Sequence, residues 1–123
     1  MLLKDFYKVN GIENKSENDY TASVFLNKDH DVFKGHFPGN PVTPGVCMMQ
    51  IIKELCEEIL DEKLMLKTAS NVKFMALINP DINPDLRLEL SINSNEAGEI
   101  KVKNTTYFED TVALKLSNTY IKQ

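Results

Sequence analysis

The sequence predicts an α+β fold in which one long helix packs on an antiparallel sheet. Three observations lead there. A single amphipathic helical stretch occupies residues 44–61. β-rich composition dominates the chain beyond it, with strict alternation at Leu86, Leu88, Leu90 and Ile92 against Arg87, Glu89 and Ser91. Turn signals at Asn79-Pro80-Asp81, Asn83-Pro84-Asp85 and Asn95 to Gly98 separate those strands by short connections, which suits antiparallel neighbours. The 123 residues fit a single domain over 1–123, and the 42% hydrophobic content is enough for a core.

The segment from Leu2 to Val9 is compatible with a short helix or an edge strand. Asn10 to Asp19 is polar and contains Gly11, so it reads as a loop. Tyr20, Ala22, Val24 and Leu26 alternate as one face of a strand. Gly35 to Gly45 then holds three of the five glycines and three of the five prolines, which excludes an ordinary helix or a central strand. Thr43-Pro44-Gly45 reads as a helix start, with Thr43 as N-cap and Pro44 at the first helical position.

Along residues 44–61, Met48, Ile51, Ile52, Leu55, Cys56, Ile59 and Leu60 share a broad apolar side, while Gln50, Lys53, Glu54, Glu57 and Asp61 share the other. The first turn, Val46 to Met49, is apolar all round. Such a helix is expected to begin inside the protein and to emerge from it. A strand over Leu66 to Ile78 comes next, ending in the apolar run from Phe74, and further strands cover Ile100 to Phe108 and Val112 to Ile121.

Several function classes are disfavoured. The net charge of −4 supplies no basic stripe for nucleic acid. No apolar run approaches the length of a bilayer span, and Met1-Leu2-Leu3-Lys4-Asp5 is charged too early for a secretory signal, so a cytoplasmic location is expected. Cys47 and Cys56, placed on one helix, stand about 13 Å apart along its axis, too far to bridge. With His30 and His36 as the only histidines, zinc spacing is missing, and neither a metal nor a cofactor is expected.

The chemistry lies in Gly35-His36-Phe37-Pro38-Gly39-Asn40-Pro41-Val42-Thr43-Pro44-Gly45-Val46. This run resembles the signature of the FabZ/FabA-type β-hydroxyacyl-acyl-carrier-protein dehydratases: Gly-His-Phe-Pro, a further proline, then Pro-Gly-Val. The resemblance implies a hotdog fold, a sheet wrapped around one long helix and usually dimeric. It implies an acyl thioester of acyl carrier protein or coenzyme A as substrate, and the carrier protein as partner. It also implies His36 as general base at C2 of the acyl chain, Gly45 as the amide donor to the thioester oxygen, and substrate contacts from Phe37, Pro44 and Val46. Physical chemistry agrees with these roles. A helix start offers free N–H groups and a positive dipole end where enolate charge develops, and imidazole titrates near neutrality. A histidine in arbitrary context is more often satisfied by a backbone carbonyl; the motif around His36 favours the site role. His30, in Asp29-His30-Asp31, reads as exposed or as a local orienter.

One departure matters. Family members carry Glu or Asp at the place that falls on Gln50, and many carry Gln at the place that falls on Glu54. Acid and amide stand exchanged. A carboxamide can hydrogen-bond a hydroxyl but has no proton to give the departing water, and loss of a general acid costs about 10²- to 10⁴-fold. Glu54, one turn on, either reaches the same cavity or belongs to the solvated face. Three readings are open: a dehydratase in which Gln50 or Glu54 orients the hydroxyl; an incomplete subunit that forms a heterodimer with an acid-bearing homologue, since in the family one site draws on two protomers; or an acyl thioesterase. The run from Asn79 to Asp85 also lacks the glycine of the family's Pro-Gly-Asp turn and is expected to form a longer loop. Met48, Met49, Met65 and Met75 read as core or acyl-tunnel lining, and Lys28, Lys34, Lys67 and Lys73 as solvated cations able to meet an acidic carrier.

Overall fold

A computed structural model describes residues 5–34 and 41–123. Strands β1 (Tyr7–Asn14) and β2 (Asp19–Leu26) precede a 3₁₀ turn at Asp31–Phe33 and helix α1 (Gly45–Leu60). Strands β3 (Leu64–Phe74), β4 (Asp85–Ser94), β5 (Ile100–Phe108) and β6 (Thr111–Lys122) complete the chain. The six strands form one sheet in the order β1-β2-β4-β5-β6-β3, with every neighbouring pair antiparallel. This is the expected α+β architecture.

α1 buries Cys47, Met48, Ile51, Ile52, Leu55 and Cys56. The sheet meets it with the alternating apolar face read from sequence: Ala22, Val24 and Leu26 on β2, and Leu86, Leu88, Leu90 and Ile92 on β4, all buried. The helix ends one residue earlier than expected. Asp61 takes a left-handed conformation (φ 52°), and its N–H closes the last turn on the Glu57 carbonyl. Both cysteines are free and buried; burial raises both thiol pKa values, that of Cys56 to about 12.

Three segments differ from the sequence reading. Asn10 to Asn14 is strand rather than loop, because β1 continues through a register shift between Val9 and Gly11 and pairs down to Asn14–Tyr20. Its polar, mostly exposed side chains suit a sheet edge. β3 stops at Phe74; Met75 to Ile78 are not strand, although the Met75 and Ala76 N–H groups still donate to the Ala113 carbonyl of β6 at 2.8 and 3.3 Å. In the first turn of α1, Cys47 and Met48 are buried as expected, but Val46 is 72% exposed. The loop at 79–85 is held by an Asx turn, with the Asn79 side chain accepting from the Asp81 N–H at 2.9 Å.

β3 is unusual. Only Leu64 is buried, and the ten residues after it are exposed although the strand carries Met65, Leu66, Val72 and Phe74. It lies at the edge of the sheet, so among the described residues one side of its backbone has no strand neighbour. Val46, Met75 and Leu77 are exposed apolar side chains as well.

Candidate active site

Helix α1 opens on Pro44, whose extended backbone (φ −62°, ψ 143°) makes it the N-cap in place of Thr43. Thr43 stands one residue before it, with its N–H donating to the Ile78 carbonyl at 2.8 Å. The Pro44 carbonyl accepts from Cys47 N–H at 3.0 Å and Met48 N–H at 3.3 Å. That leaves the amides of Gly45 and Val46 as the two at the helix start with no carbonyl a turn before them. They carry the positive end of the helix dipole.

Beside this start lies an apolar cavity of about 350 Å³, formed by Val42 to Gly45 and Met48 on one wall and Phe74 to Ile78 on the other. The tip of the Phe74 ring rests on Gly45. A Cβ at position 45 would stand 2.7 Å from the Phe74 Cζ, so only glycine allows this contact. Phe74 is itself 54% exposed, which places a displaceable ring over the helix start. Thr43 is 6% exposed, and among the described residues its Oγ1 has no hydrogen-bond partner. Such a buried hydroxyl costs roughly 1–3 kcal/mol in lost hydration. Thr43→Val is therefore expected to raise stability by about 1 kcal/mol, read as a higher midpoint in thermal unfolding. A lower midpoint would show that the hydroxyl holds something.

Of the residues expected at the site, Pro44 and Gly45 line the cavity. Val46 is not part of its wall and is exposed. His36 and Phe37 lie outside the described residues. Gln50 and Glu54 do not join the cavity of their own chain: they occupy the side of α1 that faces β1. Gly45 and Gln50 are separated by roughly 140° around the helix, so one chain presents the amide on one side and the carboxamide on another.

Gln50 and Glu54 are joined to each other. The Gln50 Nε2 donates to one carboxylate oxygen of Glu54 at 2.8 Å, and the Tyr7 hydroxyl donates to the other at 2.8 Å. Both oxygens of Glu54 thus act as acceptors. Burial, and then the hydrogen bond to Glu54, raise the Tyr7 pKa well above the ordinary phenol range. Glu57, Glu58, Asp61, Glu62 and Lys63 line the rest of that groove. Tyr7 and Phe74 were not legible as site neighbours, because each meets α1 only through tertiary packing. His30 caps the 3₁₀ turn by accepting from the Val32 N–H and stands edge-on to Phe6, as a local orienter does. Met48 is core and cavity wall at once, Met75 is cavity wall, and Met65 is exposed. Among the described residues no cluster could hold a metal ion, and no helix is long and apolar enough to cross a membrane.

A family model described as ApeI dehydratase matches residues 12–114, which takes in the motif, the helix start and the strands around them. The chain belongs to this ApeI-like dehydratase family. Its curated relatives include the 3-hydroxyacyl-[acyl-carrier-protein] dehydratase FabZ of Lactobacillus helveticus, 32% identical over 109 residues that cover 82% of this chain and 70% of the relative. The FabZ of Rhizorhabdus wittichii is 27% identical over 108 residues, covering 80% and 68%. Among solved structures, the dehydratase heterocomplex ApeI:P from Xenorhabdus doucetiae superposes with a TM-score of 0.68 at 21% identity, over 93% of this chain and 96% of that one. At that identity the likeness speaks to the fold, which is the hotdog fold the motif implied. This ApeI-like chain is a dehydratase-like protein, and its class of chemistry is that of a hydro-lyase.

Proposed function

We propose that the protein interconverts 3-hydroxyacyl and trans-2-enoyl thioesters of acyl carrier protein or coenzyme A, in the cytoplasm, as a dimer. The observation that carries the reading is a helix start at Gly45 that lines an apolar cavity. The thioester oxygen accepts from the Gly45 amide, where the helix dipole favours the charge that develops as C2 loses its proton. The acyl chain runs along the apolar wall of Met48, Phe74 and Ile78. His36 takes the C2 proton. Because Gln50 has no proton to give, the imidazolium formed returns that proton to the departing C3 hydroxyl, and water leaves. Gln50 holds the hydroxyl by a hydrogen bond. The purified protein is expected to hydrate a trans-2-enoyl thioester slowly, and His36→Ala to lose that rate. An unchanged rate in His36→Ala would refute the assignment.

The edge of β3 supports the dimer. An open strand edge with exposed Met65, Leu66, Val72 and Phe74 is suited to pairing with a second chain of the same fold. Such pairing would bring a partner's Gln50 towards this cavity, which its own Gln50 does not reach. A homologue with an acid in that position could take the same place.

A further inference from the structure

We propose that Glu54, anchored by Tyr7, is a positioning residue that fixes which end of the Gln50 carboxamide meets the substrate, so that the site presents a hydrogen-bond acceptor and selects 3-hydroxyacyl over 3-oxoacyl thioesters. This rests on the dehydratase reading and adds to it a specificity determinant. Its starting point is the chain of hydrogen bonds Tyr7 Oη to Glu54 Oε1 and Gln50 Nε2 to Glu54 Oε2, each 2.8 Å. Tyr7 lies on β1 and the other two on α1, so the contact ties the edge strand to the helix.

Polarity determines the orientation. A carboxamide has one donor end and one acceptor end. Facing Glu54, whose second oxygen is already held by the Tyr7 hydroxyl, only the nitrogen is accommodated; the amide oxygen there would oppose a carboxylate oxygen. The Gln50 oxygen is therefore turned away from Glu54. Since Glu54 stands one turn further along α1, that direction is towards the helix start. Tyr7 keeps the carboxylate from swinging into the groove with Glu57, Glu58 and Asp61, where like charges crowd. All three residues are partly buried, so the contacts are not fully exchanged for water.

A substrate hydroxyl can donate to an outward oxygen. A ketone at the same carbon has only acceptors and meets it lone pair to lone pair. A site built to satisfy a hydroxyl discriminates against an analogue that has no donor to offer. This gives Glu54 an effect on which thioester binds, although it makes no contact with the substrate itself.

Glu54→Gln is nearly isosteric and inverts the device. Tyr7 then donates to the new amide oxygen at position 54, and the new amide nitrogen faces position 50. Gln50 must turn to offer its oxygen inward and its nitrogen outward. The experiment compares binding of 3-hydroxybutyryl-coenzyme A and acetoacetyl-coenzyme A to the wild type, to Glu54→Gln and to Tyr7→Phe. It also records the side-chain amide signals of Gln50 by nuclear magnetic resonance without ligand. The wild type is expected to prefer the hydroxy compound by about tenfold, the loss of one hydrogen bond. Glu54→Gln is expected to erase the preference and shift the Gln50 amide protons, with Tyr7→Phe intermediate. Binding of neither thioester by the wild type would overturn the functional reading and this inference together. Binding of both with a preference that Glu54→Gln leaves intact, or Gln50 amide signals indifferent to that substitution, would overturn this inference alone.

Discussion

Gln50→Glu should raise turnover of an enoyl thioester by about a hundredfold or more, because it supplies the general acid that a carboxamide does not. The neighbourhood amplifies the effect. The Gln50 nitrogen now lies 2.8 Å from a Glu54 oxygen, so a carboxyl at position 50 would face another carboxyl at hydrogen-bond distance. Two carboxylates so close do not both ionise readily; the pair keeps one proton towards neutral pH. That proton is what a departing hydroxyl requires. The sign of the linked stability is set by the same pair. A carboxyl whose pKa is raised on folding contributes stability below its unfolded pKa, and that contribution is lost as pH rises through the folded value. The variant should therefore lose stability relative to wild type as pH is raised towards and past neutrality, and its rate advantage should fall in the same direction. Steady-state rates and thermal unfolding across pH test both trends. Equal rates in variant and wild type would mean that position 50 does not meet the reacting hydroxyl.

Leu66→Lys with Val72→Lys should dissociate the proposed dimer without unfolding the chain. Both side chains are exposed in the single chain, at 41% and 38%, so a lysine at either position can keep its ammonium in water there. In a paired β3 edge they would bury four uncompensated charges, two from each copy. Replacing apolar contacts of about 1.5–3 kcal/mol each in this way is expected to weaken association by on the order of a thousandfold or more. Sedimentation should show a monomer with an unchanged circular dichroism spectrum, and enoyl hydration should fall with it, since the cavity then has no partner Gln50. A variant that stays dimeric would move the interface away from β3.

What could be read from the residues depended on whether the signal was local. The helix was legible within a residue at each end because α1 alternates buried and solvated sides through Leu60. β2 and β4 were legible because each shows one buried face to the core. β1 was not, since an edge strand with a bulge at Val9 and Gly11 carries no alternating apolar pattern. Thr43 looked like an N-cap by type, but the helix starts one residue later with Pro44 as N-cap, and Thr43 pairs by its N–H with Ile78, a contact the local sequence does not display. Gln50 and Glu54 were visible in one dimension as a pair one helical turn apart. That Tyr7 holds Glu54 was not, because the hydrogen bond joins residues 47 positions apart. The lid of Phe74 over Gly45 is hidden for the same reason.

The most direct test of the dehydratase assignment is to incubate the protein with trans-2-butenoyl-coenzyme A in deuterium oxide and identify the product by mass and proton resonance. The expected product is 3-hydroxybutyryl-coenzyme A carrying one deuterium on C2, delivered from solvent through His36. Free coenzyme A, or a thioester returned unchanged, would contradict the assignment.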